Sequence, residues 1–309
     1  MEKELANVPL AIPFEVLKIV GTMLKTHICK IIGKDGFLGT GFFCNIPYGS
    51  NILKVLMTNN YVLNEDDILP NQIIKFSVNN EAKNYEIKID DSRKTYTSKE
   101  YDVTIIEIKQ SDKLDKNSFF DIDDLIFNEN VIEEFRNKQI YLLHYPKGEK
   151  MEYSKGLIEC ICEDKYNIHH LCDSSDGSSG GPIINSINFK VIGIHKREAE
   201  GVGNYNVGTL LKAPIEEFIE KSEKKENNNK EEHINNNKNN QKMPTKYREI
   251  ENEEKERDKR ENEIIEELYN EFDSEFYISC LLSIEDFSEK VKELNFDKNK
   301  IKNYIKELF

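Results

Sequence analysis

Short apolar runs, rich in β-branched and aromatic residues and separated by turn residues, recur through the first 220 residues. That pattern restricts this part of the chain to an antiparallel β architecture. Six strands are predicted before the middle: Leu24–Ile32, Gly39–Asn45, Ile52–Asn59, Asn71–Asn79, Asn84–Asp90 and Val103–Lys109. Six more follow: Gln139–Tyr145, Met151–Glu163, Tyr166–Cys172, Gly181–Asn185, Phe189–His195 and Tyr205–Leu211. A polar connection with one predicted helix, Val131–Lys138, separates the sets, and a second, Ala213–Glu223, closes the region. Two sets of six strands predict an all-β fold of two packed six-stranded antiparallel barrels.

Composition shifts near Lys221. The tract KSEKKENNNKEEHINNNKNNQK holds too little apolar surface to fold alone, so 226–262 is predicted to be a disordered, charged linker. From Ile264 apolar residues return at spacings of three and four (Ile265, Leu268, Phe272, Phe287, Val291, Leu294), which predicts amphipathic helices over 263–309. That helical or coiled-coil end would pack on itself or on a helical partner. The expected domains are a lead-in, 1–23; a barrel domain, 24–225, with barrels at 24–110 and 139–212; the linker; and the helical end.

The chain is acidic, with 57 Asp and Glu against 43 Lys and Arg, which argues against a nucleic-acid partner. No run approaches the roughly 20 apolar residues of a membrane span. No cleavable signal is visible, so the expected location is the cytoplasm, with reduced cysteines. Cys160 and Cys162 fall on one face of their strand by alternation, but no second Cys/His pair follows at zinc-finger spacing. Neither a metal nor an organic cofactor is expected.

The chemistry concentrates in Gly177-Ser178-Ser179-Gly180-Gly181-Pro182. Acyl transfer by serine needs an exposed hydroxyl on a sharp turn and N–H groups aimed at the developing oxyanion. Glycines on either side supply the permissive backbone. Upstream stand Gly39-Thr40-Gly41-Phe42-Phe43, then Thr58-Asn59-Asn60-Tyr61-Val62-Leu63, then Tyr101-Asp102-Val103-Thr104-Ile105-Ile106. In this order the segments resemble the trypsin-like serine peptidases, most closely the disulfide-free members related to glutamyl endopeptidases and HtrA proteases. The resemblance spans roughly Leu24 to Phe218. It implies that Ser179 is the nucleophile, that Asp102 orients the base, and that the N–H groups of Gly177 and Ser179 form the oxyanion hole.

The departure is Tyr61, which stands where the resemblance implies the general-base histidine. Histidine suits that place because its pKa near 6.5 lets it take and return a proton around neutrality. Tyrosine, with a pKa of about 10, stays protonated there and deprotonates serine poorly. His27, His144, His169 and His170 lie elsewhere in the motif order, so none is expected to replace it.

His195, with Gly193 on the same strand, implies one wall of the substrate pocket, and a histidine there resembles the glutamyl endopeptidases that bind an acidic side chain. Asp173, six residues before Ser179, stands where trypsin selects Lys or Arg. Acidic preference, basic preference and a plain His195–Asp173 pair all remain open from the sequence. The function expected is that of a pseudopeptidase binding peptide or protein partners without acting on nucleic acid or membrane. The alternatives are a weakly or fully active serine endopeptidase, and an interaction protein acting through 263–309.

Overall fold

The computed structural model of the protein describes residues 14–33, 36, 38–49, 51–199 and 205–236. Each predicted strand meets an observed one. In the first half these are β1 (Ile28–Ile32), β2 (Leu38–Tyr48), β3 (Asn51–Thr58), β4 (Ile73–Val78), β5 (Lys83–Lys88), β6 (Thr95–Ser98), β7 (Val103–Glu107) and the two-residue β8 (Phe120–Asp121). After helix α2 (Val131–Phe135) come β9 (Gln139–His144), β10 (Glu152–Ile161), β11 (Asn167–His170), β12 (Pro182–Asn185), β13 (Val191–Glu198) and β14 (Asn206–Leu210).

The second set closes into a barrel in the order β10-β11-β14-β13-β12-β9, as the strand count predicts. The first set follows the open path β5-β4-β1-β2-β3-β7-β6, with β8 lying parallel to β2 through Cys44–Phe120 and Asn45–Asp121. The two extra strands explain the difference from six. The sequence of β6, Thr-Tyr-Thr-Ser, has no apolar run to announce it, and β8 is two residues long. Alternation fills the first core with Ile31, Phe43, Leu56, Phe76, Ile87 and Ile106, all at most 1% exposed. Each such side chain contributes about 1.5–3 kcal/mol by leaving water.

Three helical expectations change. Leu24–Thr26 belongs not to β1 but to α1, Phe14–Thr26. There Val16, Val20 and Leu24, four residues apart, share the buried face. The helix predicted over Val131–Lys138 ends at Phe135, and Asn137 turns left-handed at φ 59°. The helix predicted over Ala213–Glu223 runs as α3 from Lys212 to Asn236, so the polar tract expected to be disordered is helical in its first part. Glu226, Lys230, Glu231 and Glu232, good helix formers, lie in that stretch among its asparagines. The predicted C-terminal helices over 263–309 lie outside the described residues.

Two compact units are distinguished: residues up to Ser186 with Lys190–Phe218, and Ile187–Phe189 with Ile219 onward. Both strand sets, and every residue of the candidate site, belong to the first.

Candidate active site

The loop from β11 to β12 takes its shape from its glycines. Gly177 and Gly180 adopt φ of +86° and +91°, a region that side chains rarely enter. Space forbids a side chain as well. A Cβ on Gly180 would lie 2.0 Å from the Thr40 carbonyl oxygen, and one on Gly177 2.6 Å from the Gly148 nitrogen. Ser178 N–H donates to Ser175 O and Gly181 N–H to Ser178 O, each at 3.0 Å, which folds the loop on itself.

Thr40, inside the upstream glycine motif, ties this loop to the first strand set. Its hydroxyl donates to Gly177 O at 2.8 Å and accepts the Tyr145 N–H at 3.0 Å, while its N–H donates to Ser179 O at 2.9 Å. Ser178 turns inward and is fully buried, its Oγ 2.7 Å from His144 Nδ1. Ser179 remains half-buried and donates its hydroxyl to the Lys196 carbonyl at 2.8 Å. Among the described residues no acceptor takes the N–H of Gly177 or of Ser179, so both donors are free for an oxyanion.

The Thr58-Asn59-Asn60 segment leads off β3 into a turn in which Val62 and Leu63 both donate to Asn59 O. Each asparagine side chain braces this turn: Asn59 Nδ2 donates to Asp102 O at 2.7 Å and Asn60 Nδ2 to Thr97 Oγ1 at 2.7 Å. Asp102 accepts the Tyr61 N–H on Oδ1 at 2.9 Å and stands at φ 51°, a left-handed conformation that aspartate tolerates. Burial holds the Asp102 carboxyl above its usual range, against the opposing pull of the Tyr61 and Asn60 amides and the Lys196 and Arg197 charges. The Tyr61 residue is 70% exposed.

Lys196 is the residue here that the motifs did not reveal. Its carbonyl accepts the hydrogen bond of the Ser179 hydroxyl, its ammonium donates to Asn167 Oδ1 at 3.0 Å and lies 5.6 Å from the centre of the Tyr166 ring, and burial pulls its pKa down while Asp102 and Asp164 pull it up. Only its place after His195 in the sequence could have pointed to it.

The pocket residues separate. His195 is 1% exposed, with Nδ1 3.1 Å from His170 Nε2. Because His170 Nδ1 accepts the Cys172 N–H, its Nε2 carries the hydrogen and donates to His195. Burial holds His144 down at about 4, His170 at about 3 and His195 well below its ordinary value, so all three are neutral at pH 7. His195 is joined to the serine loop through its backbone, accepting from Gly180 and donating to Gly181. Gly193 sits opposite Ile183 and Leu210, and a Cβ there would meet Thr209 O at 2.6 Å. Asp173 is exposed, donates its N–H to Ser154 Oγ at 2.6 Å, and lines a cavity of about 440 Å³ with His144, Lys147, Glu149, Glu152 and Ser175.

This layout holds a serine hydroxyl on a glycine-shaped loop and a carboxylate on the backbone of residue 61. It offers no described imidazole to the Ser179 hydroxyl, and a carbonyl oxygen is too weak a base to take its proton.

Three comparisons bear on the chain. No curated protein sequence matches it significantly. Among solved structures, the serine endoprotease from Yersinia pestis is similar, at 14% identity over 68% of this chain and 68% of that one, with a TM-score of 0.49. The Rv3671c protease of M. tuberculosis in an inactive form is similar at 19% identity over 66% of this chain and 93% of that one, with a TM-score of 0.45. The family model of the trypsin-like peptidase domain matches residues 39–194, which is 156 of the 309 residues and takes in the glycine motif, Tyr61, Asp102 and the Ser179 loop. The chain therefore belongs to the trypsin-like peptidase domain family.

Proposed function

We propose that this trypsin-like domain is a pseudopeptidase that binds peptide or protein segments and hydrolyses them weakly or not at all. The observation that carries this reading is the hydrogen bond of Ser179 to the Lys196 carbonyl, with tyrosine at the base position and that residue largely in solvent. The nucleophile is parked on an acceptor that cannot carry its proton away, while the loop and amides that would hold a carbonyl group are kept.

Of the two pocket residues, Asp173 lines the open cavity, where Glu149 and Glu152 outweigh Lys147, whereas His195 is buried against His170. This favours a basic side chain in the bound segment over an acidic one.

A fluorophosphonate probe tests the proposal. The expected result is no labelling of the native protein under conditions that label an active relative. Strong labelling that Ser179→Ala abolishes would overturn it and favour the second reading, an active endopeptidase, for which the free Gly177 and Ser179 amides argue.

A further inference from the structure

Two thiols and an imidazole meet on the second barrel, away from the serine loop. Cys160 on β10 and His169 on β11 are register partners across the sheet. Cys162 lies just beyond the end of β10, its N–H bonded to Asn167 O at 2.8 Å. Strand alternation turns both thiols to the same side. The Sγ atoms and one His169 ring nitrogen all lie within 4.8 Å of one another, and Cys162 Sγ is 3.3 Å from His169 Nε2. All three residues are half-buried, so the cluster is open to solvent.

From this geometry we propose that Cys160, Cys162 and His169 form a binding site for a soft cation, zinc first, with the fourth position taken by water. Zinc bonds to thiolate at about 2.3 Å and to imidazole at about 2.0–2.1 Å, which sets tetrahedral ligand atoms roughly 3.5–3.8 Å apart. The 3.3 Å between Cys162 Sγ and His169 Nε2 and the 4.8 Å bound on the whole cluster bracket that spacing. Two sulfurs and one nitrogen select zinc or copper(I) over calcium or magnesium, which prefer oxygen.

The supports are built in. His169 stacks on Tyr205 at 4.0 Å between ring centres and 19° between planes, which fixes the ring. The hairpin turn is held by Asp164, whose carboxylate accepts the N–H groups of Tyr166 and Asn167 and the Asn167 amide. That carboxylate is therefore occupied and is not the fourth ligand. Burial, followed by the neighbouring Cys160 and Asp164, pushes the Cys162 thiol up to about 11. Zinc takes its sulfur ligands as thiolates, so each S–H bond at the site is replaced by an S–Zn bond and its proton passes to solvent. The bound ion clamps the end of the hairpin bearing Tyr166 and Asn167, the residues on which the Lys196 ammonium rests.

Sequence spacing hid the site because the third ligand arrives by cross-strand pairing, not by a finger-like repeat.

The test uses the full chain, reduced and stripped with a chelator, then titrated with Co²⁺ and, in competition with a chromophoric chelator, with Zn²⁺. The expected result is one ion per chain, with thiolate-to-cobalt charge-transfer absorption and the intense visible bands of four-coordinate cobalt. Cys162→Ser and His169→Gln should each lower zinc affinity by about 100-fold or more, because loss of an outer-shell partner alone costs about 10–100-fold. Cys280→Ser, which changes a cysteine outside the described residues, should bind as the parent does. Melting curves of the metal-free variants show whether each is folded, and zinc should raise the melting temperature of the parent but not that of Cys160→Ser/Cys162→Ser. Absence of the charge-transfer band in the parent, or undiminished binding by the folded double variant, would overturn the proposal.

Discussion

The carboxylate of Asp102 accepts the main-chain N–H of Tyr61 at 2.9 Å. An acid and the residue meant to carry the base are thus held together through the backbone, whatever side chain residue 61 bears. In the pseudopeptidase proposed above, this is the frame of a catalytic pair with tyrosine in the place of the base.

Thr40 ties the serine loop to the first strand set through hydrogen bonds to the Gly177 and Ser179 carbonyls. Thr40→Val keeps the shape and the β-branching but leaves the Gly177 carbonyl and the Tyr145 N–H without their shared partner. A loss of about 1–3 kcal/mol is expected in denaturant unfolding, the usual cost of stranding buried polar groups. A change within error would mean that the hydroxyl does not anchor the loop.

Arg93 and Asp112 form a bidentate pair, at 2.7 and 2.9 Å, with side chains 3% and 7% exposed. Arg93 also donates to the carbonyls of Lys88 and Glu107. Removing one partner of a buried pair costs about 3–5 kcal/mol, so Arg93→Ala should lower stability by that amount. Arg93→Lys should rescue little, because an ammonium cannot reproduce the planar fork. Near-native stability of either variant would contradict this account.

Acid should destabilise the barrel through His144. Its pKa is about 4 when folded against an ordinary 6.5, so between those values the unfolded chain binds the extra proton. The stability is fully present above about 6.5 and is lost as pH falls toward 4, at up to about 1.4 kcal/mol per pH unit. His195, also held low by burial, acts in the same direction. Unfolding free energies measured across this range should fall less steeply for His144→Asn, which can keep a hydrogen bond to Ser178. Identical slopes would rule out His144 as a source of the acid sensitivity.

How far the sequence could be read follows from where its signals lie. Strands with apolar runs, such as Val55–Thr58 and Val103–Glu107, announce themselves, and the serine loop is legible because only glycine fits φ of +86° and +91°. The strand Thr95–Ser98 carries no such pattern, and α1 lies mostly in the stretch given only as a lead-in, its last residues Leu24–Thr26 running into the apolar segment that reads as strand. At the site, local motifs mark Ser179, Asp102 and Tyr61. The partners that give them meaning come from distant strands, as Lys196 does for Ser179 and His170 for His195. Pairing across a barrel leaves no mark at any one position.

If the missing imidazole is what silences Ser179 in the proposed pseudopeptidase, Tyr61→His restores the base most directly. Losing a triad member costs on the order of 10⁴ to 10⁶ in turnover. The substitution should therefore raise hydrolysis of peptide esters from background to a measurable rate, climbing with pH through about 6 to 7 as the imidazole loses its proton. The gain should vanish in Tyr61→His/Ser179→Ala and fall sharply in Tyr61→His/Asp102→Asn. A folded Tyr61→His protein that hydrolyses nothing, or a parent that already hydrolyses as fast, would contradict the account.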